Sequence, residues 1–367
     1  MVALPHAPQV STRIRTDGAD RWVRAWLYVV AAMIFAMVVV GGITRLTGSG
    51  LSITEWAPIL GTLPPMTAHD WDVAFARYRE IPQYRLLNAG MSLDDFRAIY
   101  WWEWSHRFLG RAVGLVFAVP LVYFALTGAI PRARLPRFVV LLLLGALQGG
   151  IGWWMVASGL VDRVSVAPYR LAAHLTLAAL IFAAVLWTAL TLSDQGRMPR
   201  RSPLRRIGAG LVLFWVFVQI FLGALVAGND AGLVYNTWPS MNGRIVPDDL
   251  FSHEPLWRNF FENPATVQFF HRGGAYVLFA LVLAQFVSII MTARTATARV
   301  SAFALGLTVA FQMMVGISAL MMQVPFSLAL IHQATAMVVL TAAVVHAVSV
   351  FAPGRMEKTL PISADAV

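Results

Sequence analysis

Four histidines lie at matching places in the two halves of this 367-residue chain. His106 and His271 are each followed by an arginine, whereas His174 and His332 each follow a short apolar stretch. An ionisable side chain inside a membrane-spanning helix is energetically costly, which makes each of the four a functional candidate. Their matching order along the chain predicts two copies of one site, each built from a pair of histidine ligands.

The composition is typical of a polytopic membrane protein, because 58% of the residues are hydrophobic and only 13% are charged. A helix needs about 20 apolar residues to cross a bilayer. Apolar runs of this length occur at 25–44, 104–128, 137–157, 171–192, 207–227, 267–291, 299–322 and 327–351. We therefore expect an all-α polytopic membrane protein with eight transmembrane helices.

The formal charge of +10 comes from arginines that are distributed as the predicted membrane topology requires. They do not form a nucleic-acid-binding patch. Arginines concentrate in the N-terminal segment and in the connections after the second, fourth and sixth predicted spans, whereas 228–266 is acidic. The positive-inside rule then places both termini in the cytoplasm and the long loops 45–102 and 228–266 on the periplasmic side. We expect a multi-pass protein of the cell inner membrane that contacts the lipid bilayer and has no nucleic-acid partner.

An internal repeat pairs the first four predicted spans with the last four. The corresponding residues are Gly41 and Gly223, Gly50 and Gly232, Trp56 and Trp238, His106 and His271, Gln148 and Gln312, Gly152 and Gly316, and His174 and His332. Four spans separate each element from its copy, so both copies run in the same direction across the membrane. This is a parallel internal repeat, which predicts two pseudo-symmetric four-helix bundles.

The repeat also predicts the domain boundaries. The N-terminal bundle covers 25–192 and the C-terminal bundle covers 207–351. The flanking segments, all expected in the cytoplasm, are the N-terminal segment 1–24, the linker 193–206 and the tail 352–367. Every histidine-bearing span enters from the outer side, so we expect all four histidines within the first two turns of their helices, in the outer third of the bilayer.

Two neutral imidazoles that project from facing helices suit the two axial positions of a haem iron. The chain has no cysteine, which excludes thiolate-ligated haem, thioether-attached haem and cysteine-bound iron–sulfur clusters. A zinc site of histidines and carboxylates stays open. Arg107 and Arg272 are candidates for contacts to haem propionates, although snorkelling towards the interface explains them equally well.

One position breaks the repeat. Glu103 stands three residues before His106, whereas Gln268 stands at the equivalent place before His271. The i,i+3 spacing puts Glu103 on the same helix face as His106. A carboxylate is useful at a reacting centre and is not needed at an electron-relay haem, so we expect Glu103 to be catalytic. The alternative is an interfacial glutamate at a helix start, which the helix dipole favours.

These residues resemble those of the haem A synthase family. The matching stretches are 41–52, 103–107, 173–174, 228–232, 236–239, 270–272 and 331–333, and they follow the order of the family over nearly the whole chain. The resemblance implies oxidation of the C8 methyl of haem O to a formyl group by successive hydroxylations, which gives haem A for terminal oxidases. Because it has no cysteine, the chain resembles the cysteine-free branch of the family, which is typical of alphaproteobacteria and mitochondria.

The resemblance also implies a role for each histidine pair. His271 and His332 would hold a haem b cofactor through its iron, while His106 and His174 would bracket the substrate haem O beside Glu103. The implied partners are haem O, an unidentified redox partner and the haem O synthase that acts upstream.

Without the resemblance, a di-haem b-type electron-transfer protein linked to quinol is the main alternative. A bis-histidine iron has no open coordination position, which favours electron transfer. All four histidines are predicted on one side of the membrane, however, and this argues against electron transfer across it. A transporter with parallel repeats would need charges near the midplane, and the predicted spans have none there.

Overall fold

The computed structural model describes residues 10–57, 60–192, 203–293 and 295–351. The predicted tail 352–367, most of the predicted linker and the first nine residues of the predicted N-terminal segment lie outside the described residues. Within the described ranges the chain is all-helical and has no β-strand of regular length, as the sequence predicts.

The helices follow one another with short connections, except for two long loops. In chain order they are α1 Val10–Leu46, α2 Ala68–Arg79, α3 Pro82–Leu87, α4 Leu93–Leu126, α5 Leu135–Ala157, α6 Pro168–Thr191, α7 Pro203–Gly228, α8 Asn259–Glu262, α9 Pro264–Thr292, α10 Ala296–Met321 and α11 Phe326–Phe351. Eight of these helices are long and apolar enough to cross a membrane, namely α1, α4, α5, α6, α7, α9, α10 and α11. The prediction of a multi-pass membrane protein is confirmed.

The second transmembrane helix begins much earlier than predicted. The Ser92 side chain accepts a hydrogen bond from the Asp95 backbone, and the Asp95 carboxylate accepts one from the Ser92 backbone, so α4 starts at Leu93 and not at 104. Charged residues in these first turns hide the helix from a hydropathy criterion. His106 therefore lies more than three turns into its helix, and its expected place in the first two turns is wrong.

Two predicted connections contain helix. Helices α2 and α3 lie within the predicted loop 45–102 and have a small apolar core of their own with the start of α4. Helix α7 begins at Pro203, so the last residues of the predicted linker 193–206 are helical. Proline at the first position of a helix is favourable, because its missing N–H would have no partner there.

The centre of the molecule is formed by α1, α6, α7 and α11, with α4 and α5 on one side and α9 and α10 on the other. Small residues allow these central helices to approach closely, as expected in a membrane. Ala179 and Ala189 of α6 and Ala343 and Ala347 of α11 are almost completely buried. This arrangement is compatible with the predicted pair of bundles, while the repeat and its boundaries stay predictions.

Polar contacts also join the two halves. The Gln333 amide of α11 donates a hydrogen bond of 2.6 Å to the Val38 carbonyl of α1, and Gly42 leaves room for this side chain. At the end of α1, Arg45 forms an ion pair of 2.6 Å with Asp230, which follows α7. The halves are therefore joined both within the bundle and at the end where the two long loops lie.

His346, which has no partner in the predicted repeat, belongs to a buried polar cluster. Its Nε2 atom lies 3.0 Å from the Gln285 amide, and its Nδ1 atom lies 3.0 Å from the Ser301 hydroxyl. Ser301 is also bonded to Ser349. Both ring nitrogens have protein partners, so the cluster joins α9, α10 and α11 and has a structural role.

We expect His346→Ala to lower the stability of the protein by about 1–3 kcal/mol, because Gln285 and Ser301 would be buried without their partner. In detergent, purified His346→Ala should unfold at a lower Tm than the control variant Val345→Ala, because the Val345 side chain is exposed. The haem content of the surviving protein should not change, because His346 lies about 21 Å along α11 from His332. An unchanged Tm would show that the cluster does not stabilise the fold.

Candidate functional site

The structure brings His271 of α9 and His332 of α11 together. Their ring centres are 6.4 Å apart, and the ring planes are nearly perpendicular at 86°. Two imidazoles on opposite sides of one metal, with bonds of about 2 Å, have ring centres about 6 Å apart. The observed spacing therefore fits a metal ion held between the two rings, and a haem iron accepts such a pair.

The other pair, His106 of α4 and His174 of α6, lies in the N-terminal half. The two imidazoles are close enough for a direct electrostatic interaction, and both are largely enclosed by the surrounding helices. The structure thus keeps the pairing that the sequence predicts, with one pair in each half.

Each of the four imidazoles lies against a glycine of a neighbouring antiparallel helix. A Cβ atom added to the glycine would lie unusually close to the ring Cε1 atom, at 2.9 Å for Gly41 and His106, 2.9 Å for Gly152 and His174, 3.1 Å for Gly223 and His271, and 2.7 Å for Gly316 and His332. Any larger residue would displace the ring or separate the two helices. These glycines therefore set the position of the four imidazoles.

The orientation of the rings is also the same at all four glycines. In each case Cε1 is the closest ring atom, Nδ1 is the next and Nε2 is the third, so Nε2 is the nitrogen farther from the glycine. Of the two nitrogens, Nε2 is therefore the less crowded by the glycine and the better placed to bind a metal. The sequence analysis identified these glycines as repeat positions but assigned them no role.

Glutamines one turn before the glycine contact three of the histidines. The Gln148 amide lies 3.1 Å from His174 Nδ1, and the Gln219 amide lies 3.0 Å from His271 Nδ1. The Gln312 amide donates to the His332 carbonyl at 2.9 Å. Sequence reasoning matched Gln148 with Gln312 but missed Gln219, although the spacing of Gln and Gly four residues apart recurs in all three helices.

Arg107 and Arg272, the residues after two of the histidines, bind the two long loops. Each guanidinium donates hydrogen bonds to backbone carbonyls: Arg107 to Ile53 at 2.6 Å and Glu55 at 2.9 Å, and Arg272 to Tyr235 at 2.7 Å, Thr237 at 3.0 Å and Ser240 at 3.3 Å. Ile53 and Glu55 are two positions apart, and so are Tyr235 and Thr237. Both arginines therefore tie a loop to the helix beside a histidine, a role that sequence reasoning missed.

Glu103 is buried, with 2% of its surface exposed. One carboxylate oxygen accepts hydrogen bonds from Arg107 at 3.0 and 2.7 Å, and the other accepts from the Ser52 hydroxyl and the Ile53 backbone, both at 2.8 Å. Each of these bonds goes to Arg107 or to the loop. The carboxylate thus holds the loop after α1 in place, in addition to sharing a helix with His106.

Gln268 occupies the equivalent place in the other half. Its amide donates to the Ala231 carbonyl at 2.7 Å, and its Oε1 atom accepts from Arg272 at 3.3 Å. Arg272 has no ion-pair partner within the described residues, and its Nε atom is buried without a hydrogen bond. The two sites therefore differ in charge, because the carboxylate of Glu103 neutralises Arg107 while Arg272 keeps its positive charge.

A chain of hydrogen bonds connects the long loop to the turn that follows α1. The Gln83 amide donates to the Gly48 carbonyl at 3.0 Å, and Gln83 accepts from the Tyr78 hydroxyl at 3.0 Å. Burial raises the pKa of Tyr78, the Asn88 amide opposes this shift, and the nearby Glu103 raises the pKa further. Tyr78 therefore stays protonated at neutral pH, as its role as a hydrogen-bond donor requires.

Two of the remaining histidines lie in described residues outside the transmembrane helices. His69 lies in α2, His253 lies in the loop before α8, and His6 lies outside the described residues. In the part of the chain that the structure describes, no three histidine, aspartate or glutamate side chains gather into a group that could hold a metal ion. The zinc site that the sequence left open is not supported by a cluster in these residues.

Comparison with known proteins identifies the family. The COX15-CtaA family, described as cytochrome oxidase assembly protein, matches residues 24–344. A protein of Mesorhizobium japonicum named heme A synthase is 53% identical over 324 residues, which cover 88% of this chain and 89% of that protein.

Two further proteins with the same name are similarly close. The protein of Azorhizobium caulinodans is 54% identical over 90% of this chain and 94% of its own length. The protein of Parvibaculum lavamentivorans is 51% identical over 92% of this chain and 97% of its own length. These matches extend over both histidine pairs and both long loops, and the chain belongs to the COX15-CtaA family of cytochrome oxidase assembly proteins.

Proposed function

We propose that this protein is a haem A synthase, an oxidoreductase that converts haem O to haem A. The observation that carries the proposal is the presence of two histidine pairs with the same glycine contacts and different charges beside them. The relatives that match about 90% of the chain bear this name. Two hydroxylations of the C8 methyl group give a hydrated aldehyde, which loses water to leave the formyl group of haem A.

In this proposal, His271 and His332 hold a haem b cofactor. The spacing of 6.4 Å between their rings supports a bound iron, and the uncompensated charge of Arg272 favours the carboxylates of haem propionates. The bound haem would supply electron transfer. The protein contributes Gly223 and Gly316, which position the two imidazoles, and Gln219, which bonds to one of them.

His106 and His174 bracket the substrate haem O in the N-terminal half. Here the Glu103 carboxylate neutralises Arg107, so this arginine attracts propionates less strongly than Arg272 does. A weaker attraction for propionates suits a substrate that must leave as product, whereas a permanent cofactor benefits from a strong one. The hydrogen bonds of Arg107 to Glu103 and to the loop use four of its five N–H donors, which leaves one for a propionate.

Glu103 is a positioning residue in this account. It fixes Arg107 and the Ser52–Ile53 backbone, and through them the loop that covers the N-terminal site. The sequence predicted a carboxylate directed at the haem, and the observed hydrogen bonds suggest that it acts through these partners. The proposed difference between the halves therefore lies in the loop and the charge that Glu103 controls.

The reaction takes place at the end of the helices that carries the two long loops. We place this end on the periplasmic side of the cell inner membrane, with both termini in the cytoplasm, because the arginine-rich connections lie at the opposite end. Haem O is hydrophobic and reaches the site from the bilayer or from the haem O synthase. An electron-transfer partner is also required.

We expect Gly223→Ala to displace His271 by a few tenths of an ångström and to weaken the low-spin haem b absorbance of the C-terminal half, because the new Cβ atom would lie 3.1 Å from the ring. Gly210→Ala in the same helix is the matched control, since open space surrounds that glycine. Absorbance spectra of the purified proteins measure the effect. Equal spectra for the two variants would contradict the assignment of this histidine pair.

The enzymatic proposal is tested by supplying haem O to membranes that contain the protein and by identifying the extracted haems by mass. The wild-type protein should form haem A. Glu103→Gln should retain both haems and form product about 10–100-fold more slowly, the usual effect of losing a group that orients a metal site. Gln268→Glu, the reciprocal variant, should still form haem A.

Two results would contradict the proposal. If the wild-type protein bound haem O and left it unchanged in the presence of an electron-transfer partner, the protein would be a haem carrier. Full product formation by Glu103→Gln would remove Glu103 from the mechanism, while the haem-binding assignments would stand.

A further inference from the structure

A glutamine amide contacts three of the four histidines and is absent at the fourth. Gln148, Gln219 and Gln312 each stand four residues before the glycine that contacts a histidine. In α1 the equivalent residue, four positions before Gly41, is Met37. The exception falls at His106, in the half that we assign to the substrate.

A glutamine beside Nδ1 strengthens an axial histidine. When the imidazole binds a metal through Nε2, its proton lies on Nδ1, and a hydrogen bond from this N–H to an acceptor makes the ligand more basic. The amide nitrogens of Gln148 and Gln219 face Nδ1 in the structure, and their Oε1 atoms are buried without a partner, so a half-turn of each amide would offer this N–H an acceptor. His174 and His271 thus have what a firmly bound ligand requires.

Gln312 takes the same place beside His332. It donates to the His332 carbonyl at 2.9 Å and accepts a hydrogen bond from Thr335. The Nδ1 atom of His332 has no partner at present, but an amide stands next to this residue. A small movement of Gln312 would therefore supply the acceptor.

Met37 offers no comparable group. A thioether is a weak acceptor, and the terminal methyl of Met37 lies against α4, 3.1 Å from where a Cβ atom of Gly110 would be. The Nδ1 atom of His106 is buried and has no hydrogen bond to any residue that the structure describes. His106 thus has neither a partner nor an adjacent amide that could become one.

We propose that His106 is the weakly bound ligand of the four, and that Met37 makes it so. The inference rests on the proposed function, which places a haem between His106 and His174. A haem iron with two histidine ligands has no open position, so any reaction with an external ligand needs one of the two bonds to break. The structure assigns this opening to the His106 side of the substrate haem, while Gln148 keeps His174 bound.

Carbon monoxide tests the inference, because it binds ferrous haem only where a ligand has left. The full-length protein is purified with haem in both halves and reduced, and carbon monoxide uptake is followed by absorbance. We expect uptake by the N-terminal haem of the wild-type protein. Met37→Gln should slow this uptake about 10–100-fold, the usual effect of a partner to a metal-bound histidine.

Two further variants serve as controls. Met33→Gln adds the same amide one turn farther from His106 and should leave the uptake rate at the wild-type value. Gln219→Met removes the amide beside His271 and should allow the C-terminal haem to bind carbon monoxide as well. In a His271→Ala background, which lacks the C-terminal haem, the remaining uptake belongs to the N-terminal site.

The inference is overturned if Met37→Gln binds carbon monoxide as fast as the wild-type protein at equal haem content, or if the wild-type protein with both haems binds none. Neither measurement requires turnover of haem O. A protein that shows the expected carbon monoxide pattern and makes no haem A would contradict the proposed function alone. A protein that makes haem A and shows no effect of Met37→Gln would contradict this inference alone.

Discussion

The contact between an imidazole edge and a glycine of the neighbouring helix determines the rest of the site. Without a side chain at Gly41, Gly152, Gly223 or Gly316, the helices approach until the ring lies between them, with Nε2 farther from the glycine than Nδ1. An ionisable ring is costly in a membrane unless it is enclosed by protein and has a partner to bind. The glycines provide the enclosure, and the proposed haems provide the partner.

Around this shared contact, the two halves differ at a few positions that change charge and hydrogen bonding. The carboxylate of Glu103 neutralises Arg107, whereas the amide of Gln268 leaves Arg272 charged. Gln148 and Gln219 place an amide beside their histidines, whereas Met37, at the equivalent position beside His106, has none. Both differences fall in the N-terminal half, and both favour a haem that is held less firmly. In the proposed function, a common scaffold thus accommodates a cofactor and a substrate of nearly identical shape.

The sequence predicts the helices well, because apolar runs are local signals, and it singles out His271 and His332, whose ring centres the structure places 6.4 Å apart. It misplaced the start of α4, since the Ser92–Asp95 capping interaction begins the helix among charged residues. It could not predict that Arg107 and Glu103 bind the backbone near Ile53, because this contact joins residues about fifty positions apart. Gln219 could have been identified from the sequence, because it stands four residues before Gly223.

The central claim is that the two histidine pairs hold different haems. It is tested most directly by extracting and weighing the haems from purified His271→Ala and His106→Ala proteins that were produced together with haem O. The account predicts that His271→Ala loses haem b and keeps haem O or its oxidised forms, while His106→Ala keeps haem b and loses the others. Loss of the same haem from both variants would contradict it.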